Sequence, residues 1–128
     1  MSGSSLAVIL SYVAAATLAA IGILAVLLPR SLAHSYGIPV RDETTRAYVR
    51  ATGVRDLAFA AVLFAVAWRH DPLALAVAAG AGLLISLADF YIAFVANGRA
   101  LGSELLAHVG GAVGFAVILA LVLRDLQR

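Results

Sequence analysis

Four side chains that can hold or move protons stand in apolar surroundings. They are Arg55 and Asp56 in ATGVRDLAFA (residues 51–60), Asp89 in ADFYIA and His108 in LLAHVGGAVG. A guanidinium fork suits carboxylates, so Arg55 has acceptors in both Asp56 and Asp89. Histidine titrates near neutral pH, and a carboxylate that accepts from it fixes one tautomer. Arg, Asp and His together make a reasonable acid–base set. In it Asp89 and His108 exchange protons, and Arg55 orients Asp89 or steadies developing negative charge. Asp56 is counted with them as the second carboxylate. Arg50, Glu104, Tyr91 and Ser86 are expected around this set as substrate-binding groups.

The setting for these residues is a bilayer. The chain has 128 residues, enough for one domain, and is 63% hydrophobic with only 12% charged residues. Mean hydropathy is +1.02. A soluble domain this small needs a polar surface that this composition cannot supply. All nine basic residues are arginine and the net charge is +2. No basic cluster or stripe appears, which argues against a nucleic-acid partner. The absence of lysine excludes Schiff-base chemistry. The absence of cysteine excludes thiol redox relays, disulfides and thiolate metal sites. The opening MSGSS lacks the positive region of a secretory signal, so the apolar run behind it reads as a retained span.

The architecture expected is all-α: one transmembrane domain over residues 1–128, a four-helix bundle with antiparallel spans at about 6–28, 45–68, 72–96 and 101–123. The second span is the difficult one. Its uninterrupted apolar part, Leu57–Trp68, is too short to cross, so the helix must begin near Asp42–Thr45, where short polar residues cap it. A re-entrant segment is the less favoured alternative. The turns at 69–72 and 97–100 are tight, which makes spans 2, 3 and 4 antiparallel neighbours. The loop between spans 1 and 2 has room for a short interfacial helix before Gly37-Ile38-Pro39. Small residues at helical spacing (Ala76 and Gly80, Gly110 and Gly114, Ala14–Ala16 and Ala19–Ala20) suit close packing in lipid, and Gly53 suits a close approach by another helix.

Depth brings the polar residues together. Call the membrane face with both termini and the 69–72 turn face A, and the opposite one face B. At about 1.5 Å per residue, Arg55, Asp56, Asp89 and His108 fall in one layer roughly 6–12 Å beneath face B of a core about 30 Å thick. Gly82, Ser86 and Ala93 share a stripe with Asp89, and Glu104 and Gly111 flank His108. On span 2, Arg46, Arg50 and Gly53 share a face running toward Asp56 and Leu57. An unpaired charge in the core costs roughly 2.5–3.5 kcal/mol on insertion scales, so these groups should pair with one another. A network that only fixes helix register is the bland reading. His34 and His70 read as solvated, and Tyr12 and Tyr91 also suit packing or interfacial anchoring. Haem lacks a second histidine at the depth of His108, and no dense ligand spacing backs a metal, so no cofactor is expected.

GVRD (Gly53, Arg55 and Asp56) opening span 2, Asp89 in span 3, His108 followed by glycines in span 4, and YGIP before span 2 form a pattern. It resembles small four-span bacterial membrane proteins related to the DoxX-like group. The resemblance covers most of the chain with short motifs. It implies a four-helix membrane fold in the bacterial inner membrane, and a link to quinone-related redox complexes for some members. The functional expectation is a membrane enzyme, an isomerase, cyclase or epoxide-opening hydrolase, acting by acid–base chemistry on a lipophilic small molecule. The alternatives are a proton-coupled small transporter and a non-catalytic quinone- or lipid-binding subunit, with homodimerisation left open. Arginine placement slightly favours face B in the cytoplasm and both termini outside.

Overall fold

A computed structural model describes residues 3–36, 40–96, 98–99 and 102–128, without the side chains of Ser4 and Glu104. The described residues are almost wholly helical and include no strand. Helix α1 spans Gly3–Leu27, α2 Pro29–Ser35, α3 Glu43–Arg69, α4 Pro72–Ala96 and α5 Leu106–Leu126; a 3-10 turn, Ser103–Leu105, precedes α5. Four of the five α-helices are long and apolar enough to cross a membrane. Most of their surface is not covered by the protein itself: Leu73, Val77, Leu84 and Val113 stand exposed along the spans. Water would penalise such a surface and lipid would not. The chain is an integral membrane protein.

The helix ends follow local chemistry. Asp42 caps α3, its carboxylate accepting from Thr45 N at 2.7 Å and Thr45 Oγ1 at 2.8 Å. The second span is therefore a full crossing helix that starts where short polar residues allow it. It ends at His70, in the left-handed region at φ 52°. Asp71 then accepts from Leu73 N and Ala74 N, and Pro72 occupies the first helical position of α4. The short helix expected between spans 1 and 2 is α2; Gly37-Ile38-Pro39 lie outside the described residues, as do Asn97, Ala100 and Leu101. His34 lies on α2 rather than in a loop, and both it and His70 are exposed.

Two expectations need correction. The fourth span starts at Leu106 rather than 101 and runs to Leu126, because the chain spends Ser103–Leu105 in a 3-10 turn. Spans 2, 3 and 4 are also not equal neighbours. The most extensive interface joins α1 to α3 and the next α4 to α5; α1 also packs on α5, whereas α3 and α4 meet sparsely. A tight turn sets chain direction, not the amount of surface shared.

The apolar core lies toward face A. Ala7 and Ala15 of α1, Leu63 and Ala67 of α3, Leu75, Ala76, Ala78 and Ala79 of α4, and Phe115, Ile118 and Val122 of α5 are buried together. Alanine dominates, so backbones approach closely and dispersion replaces the hydrophobic effect as the cohesive force. Buried Ser11 donates to its own turn, to Ala7 O at 2.7 Å. Of the anticipated small-residue faces, Ala15 and Ala76 are buried, but a Cβ at Gly80, Gly110 or Gly114 would meet nothing within 4 Å. Gly53 does allow the close approach expected of it, and Gly22 and Gly82, which were not anticipated, do the same. Gly22 and Gly53 meet backbone to backbone where α1 crosses α3, and Gly82 lies under the ring of Phe115.

Candidate functional site

The register of the α4–α5 pair builds the site. Gly82 lies against Phe115, and a methyl at Gly111 would come within 2.9 Å of Ser86 Oγ. Each pair is reached from the other by four residues back along one helix and four forward along its antiparallel partner. Carried three residues on toward face B, the same register puts Asp89 level with His108. On α3, Gly53 brings the helix against α1, and Arg55 and Asp56 follow within a turn. Phe59 meets Phe115 at 5.9 Å between ring centroids, forming an aromatic floor between the polar layer and the core.

Arg55 is the hub. Its Nη1 and Nη2 donate to Asp89 Oδ1 and Oδ2 at 3.3 and 2.8 Å, a two-pronged fork. Its Nε and Nη2 donate to Asp56 Oδ1 at 3.2 and 3.1 Å. One guanidinium thus ties α3 to α4, two helices that otherwise meet sparsely. The side chain of Arg55 is 42% exposed, against 13% for Asp56 and 26% for Asp89. The carboxylates are sheltered while the cation reaches the edge of the layer.

His108 joins the layer without bonding to it. Its Nε2 is buried and has no hydrogen-bond partner among the described residues, so the expected donation to a carboxylate is not made. Its ring instead faces Tyr36, at 5.2 Å between centroids and tilted by 36°. Tyr36 follows α2, on the face B side of the layer. Burial, and then the charges of Asp56 and Asp89, push its phenol above the ordinary tyrosine range. It stays protonated and able to donate. No role for Tyr36 was read from the sequence, where YGIP entered only as part of the family resemblance; Tyr36 stands at the end of α2, a helix too short for its period to show what it packs over.

The anticipated binding residues divide. Ser86 is half-buried against Gly111, one turn below Asp89. Tyr91 is 66% exposed and points away from the layer, because two residues along a helix turn the side chain through about 200°. Arg50 lines a separate groove with Leu27, Leu28, Pro29, Arg30, Ser31 and Arg46. The side chain of Glu104 lies outside the described residues. Tyr12 packs on Phe64 at 5.2 Å, the packing role. Among the described residues no three His, Asp or Glu side chains cluster so as to hold a metal ion.

Comparison with known proteins adds one match, to the domain of unknown function DUF4267, over residues 15–122. The chain belongs to the DUF4267 family. That match takes in α3 and α4, most of α1 and α5, and every polar residue of the layer. No curated protein and no solved structure matches the chain. Membership of this family therefore carries no activity with it.

Proposed function

We propose that the Arg55–Asp56–Asp89–His108 layer is an acid–base site in the membrane, acting on a lipophilic small molecule. The observation that carries this reading is the charge count around Arg55. One guanidinium faces two carboxylates, with a half-buried imidazole beside them whose Nε2 has no partner among the described residues. With His108 neutral, the layer carries one negative charge in excess. An excess charge is costly in low-dielectric surroundings, and one added proton would cancel it. A site with one proton to place is suited to accept a proton from one atom of a substrate and return it to another. Isomerisation, cyclisation and epoxide opening all fit this requirement, and no cofactor is needed for them.

In this reading Arg55 positions the carboxylates and steadies developing negative charge, and Asp89 and His108 pass the proton. Tyr36, held protonated, supplies a hydroxyl from the face B side. Ser86 lies near enough along α4 to shape the floor. In this reading a lipophilic molecule would reach the layer laterally between α3 and α4, which meet sparsely. Asp89→Asn and His108→Ala, each shown to keep the fold in detergent, should alter the lipid and metabolite profile of cells expressing the protein. Unchanged profiles in both variants would sink the catalytic reading.

The bond saturation of Arg55 favours a second reading. Its fork is filled by two carboxylates, which suits a non-catalytic module that binds a quinone or lipid beside a fixed network. The DoxX-like resemblance points the same way. Substrate-dependent proton flux in liposomes would favour the transporter alternative instead.

A further inference from the structure

A second polar place lies on the opposite side of α3. At the corner where α1 turns into α2, Leu27, Leu28, Pro29, Arg30, Ser31, Arg46 and Arg50 line a groove of about 310 Å³. Three arginines converge there. Arg46 and Arg50 lie one and two turns into α3, on the first ~10 Å below face B. Arg46 Nη2 pairs with Glu43 at 3.0 Å, but its Nε is buried with no hydrogen-bond partner among the described residues. Among the described residues Glu43 is the only carboxylate paired with these arginines, which leaves the groove a net positive charge. Its other wall is apolar: Leu27 and Leu28 are 68% and 54% exposed.

We propose that this groove is a binding site for the headgroup of an anionic phospholipid. A strongly basic recess beside exposed leucines, at the membrane surface, matches an amphiphile with a phosphodiester above and acyl carbon below. Guanidinium forks suit phosphate oxygens, and the unpartnered Arg46 Nε is a donor in want of one. The volume is at the low end of ligand clefts, so it takes a headgroup and leaves the chains in the bilayer. Basic recesses between membrane helices hold anionic headgroups on the same grounds. Arg50 thus serves a lipid rather than the Arg55 layer.

The test reads lipid retention by native mass spectrometry of the full chain, released from detergent micelles containing equal phosphatidylglycerol and phosphatidylcholine. Retained phosphatidylglycerol should dominate. Arg30→Gln and Arg50→Gln, both at exposed positions, should each weaken retention about fivefold, the effect of one interfacial arginine. Arg41→Gln, a face B charge outside the groove, should leave retention unchanged. Equal retention of both lipids would overturn the proposal, as would undiminished phosphatidylglycerol in the Arg30→Gln, Arg50→Gln double variant. A loss in Arg41→Gln as large as that in Arg30→Gln would show diffuse surface attraction in place of a groove. Displacement of the lipid by millimolar inorganic phosphate would assign the groove to a soluble anion.

Discussion

The half of the bundle toward face A and the half toward face B are built from the same four spans by different means. Toward face A, alanines, Leu63 and Ile118 bring the helices into dry contact around one core. Toward face B, α1 and α3 are pinched at Gly22 and Gly53, α4 and α5 at Ser86 and Gly111, and the two pairs are tied by one guanidinium. Packing stabilises the first half, and charge pairing closes the second. The difference teaches where each task can sit. The proposed site, which would have to admit a molecule and hold an odd proton, could not share the densely packed half. The Phe59–Phe115 pair marks the border between them.

That division predicts unequal responses to substitution. Leu63→Ala in the face A half should cost about 2–5 kcal/mol, because a fully buried side chain leaves a cavity that its alanine neighbours cannot fill. Thermal and denaturant unfolding in detergent would measure it. Loss of Arg55 should come next. Arg55→Ala strands two sheltered carboxylates and should cost about 3 kcal/mol, the low end for breaking one side of a buried pair, since Arg55 is partly exposed. Asp89→Asn should cost far less, because Arg55 keeps Asp56 and the pair stays neutral. If the two variants unfold alike, face B is closed by packing and not by charge.

The glycines sharpen the comparison further. Gly53→Ala would place a methyl 2.8 Å from Gly22 O and 2.6 Å from Ala25 Cβ, both atoms fixed by backbone. It should cost about 1–3 kcal/mol and displace Arg55 from its carboxylates. Gly80→Ala meets open space and should raise stability by up to about 1 kcal/mol through helix propensity. Opposite signs in one melting experiment would separate glycines that allow a helix crossing from glycines that merely face lipid.

These pairs also mark what was legible in the sequence. Apolar length showed the spans, and rise per residue was enough to place Arg55, Asp56, Asp89 and His108 at one depth. The Arg55–Asp89 bond followed because unpaired charge in a membrane is costly and few partners were available. Facing was less legible. Gly110 and Gly114 have the spacing of a packing face yet look outward; Gly53 was legible as a point of close approach, but its partner Gly22 and the pairing of Gly111 with Ser86 lie across helices, where no single-helix period shows them. Tyr91 failed for the same reason, its depth being right and its azimuth wrong. Tyr36 stands at the end of α2, whose placement over the layer depends on tertiary contacts that no helical period reveals.

The smallest predicted effect concerns how α3 begins. On face B this helix is started by a local cap: Asp42 accepts from Thr45 N and Thr45 Oγ1. Those two bonds hold the Asp42 carboxyl below the usual carboxylate range. The folded chain therefore binds that proton more weakly than the unfolded chain does. The cap contributes its full stabilisation above the ordinary aspartate value and loses it as pH falls through the lowered one. Asparagine caps about as well and does not titrate. Wild type should thus be slightly more stable than Asp42→Asn near neutral pH, and the gap should close as the medium is acidified toward about pH 3. Other carboxylates titrate identically in both chains and cancel in the difference. Melting curves of the two that stay parallel down that range would mean the ionised cap adds nothing. The start of the second span would then rest on the contacts of α3 with α1 instead.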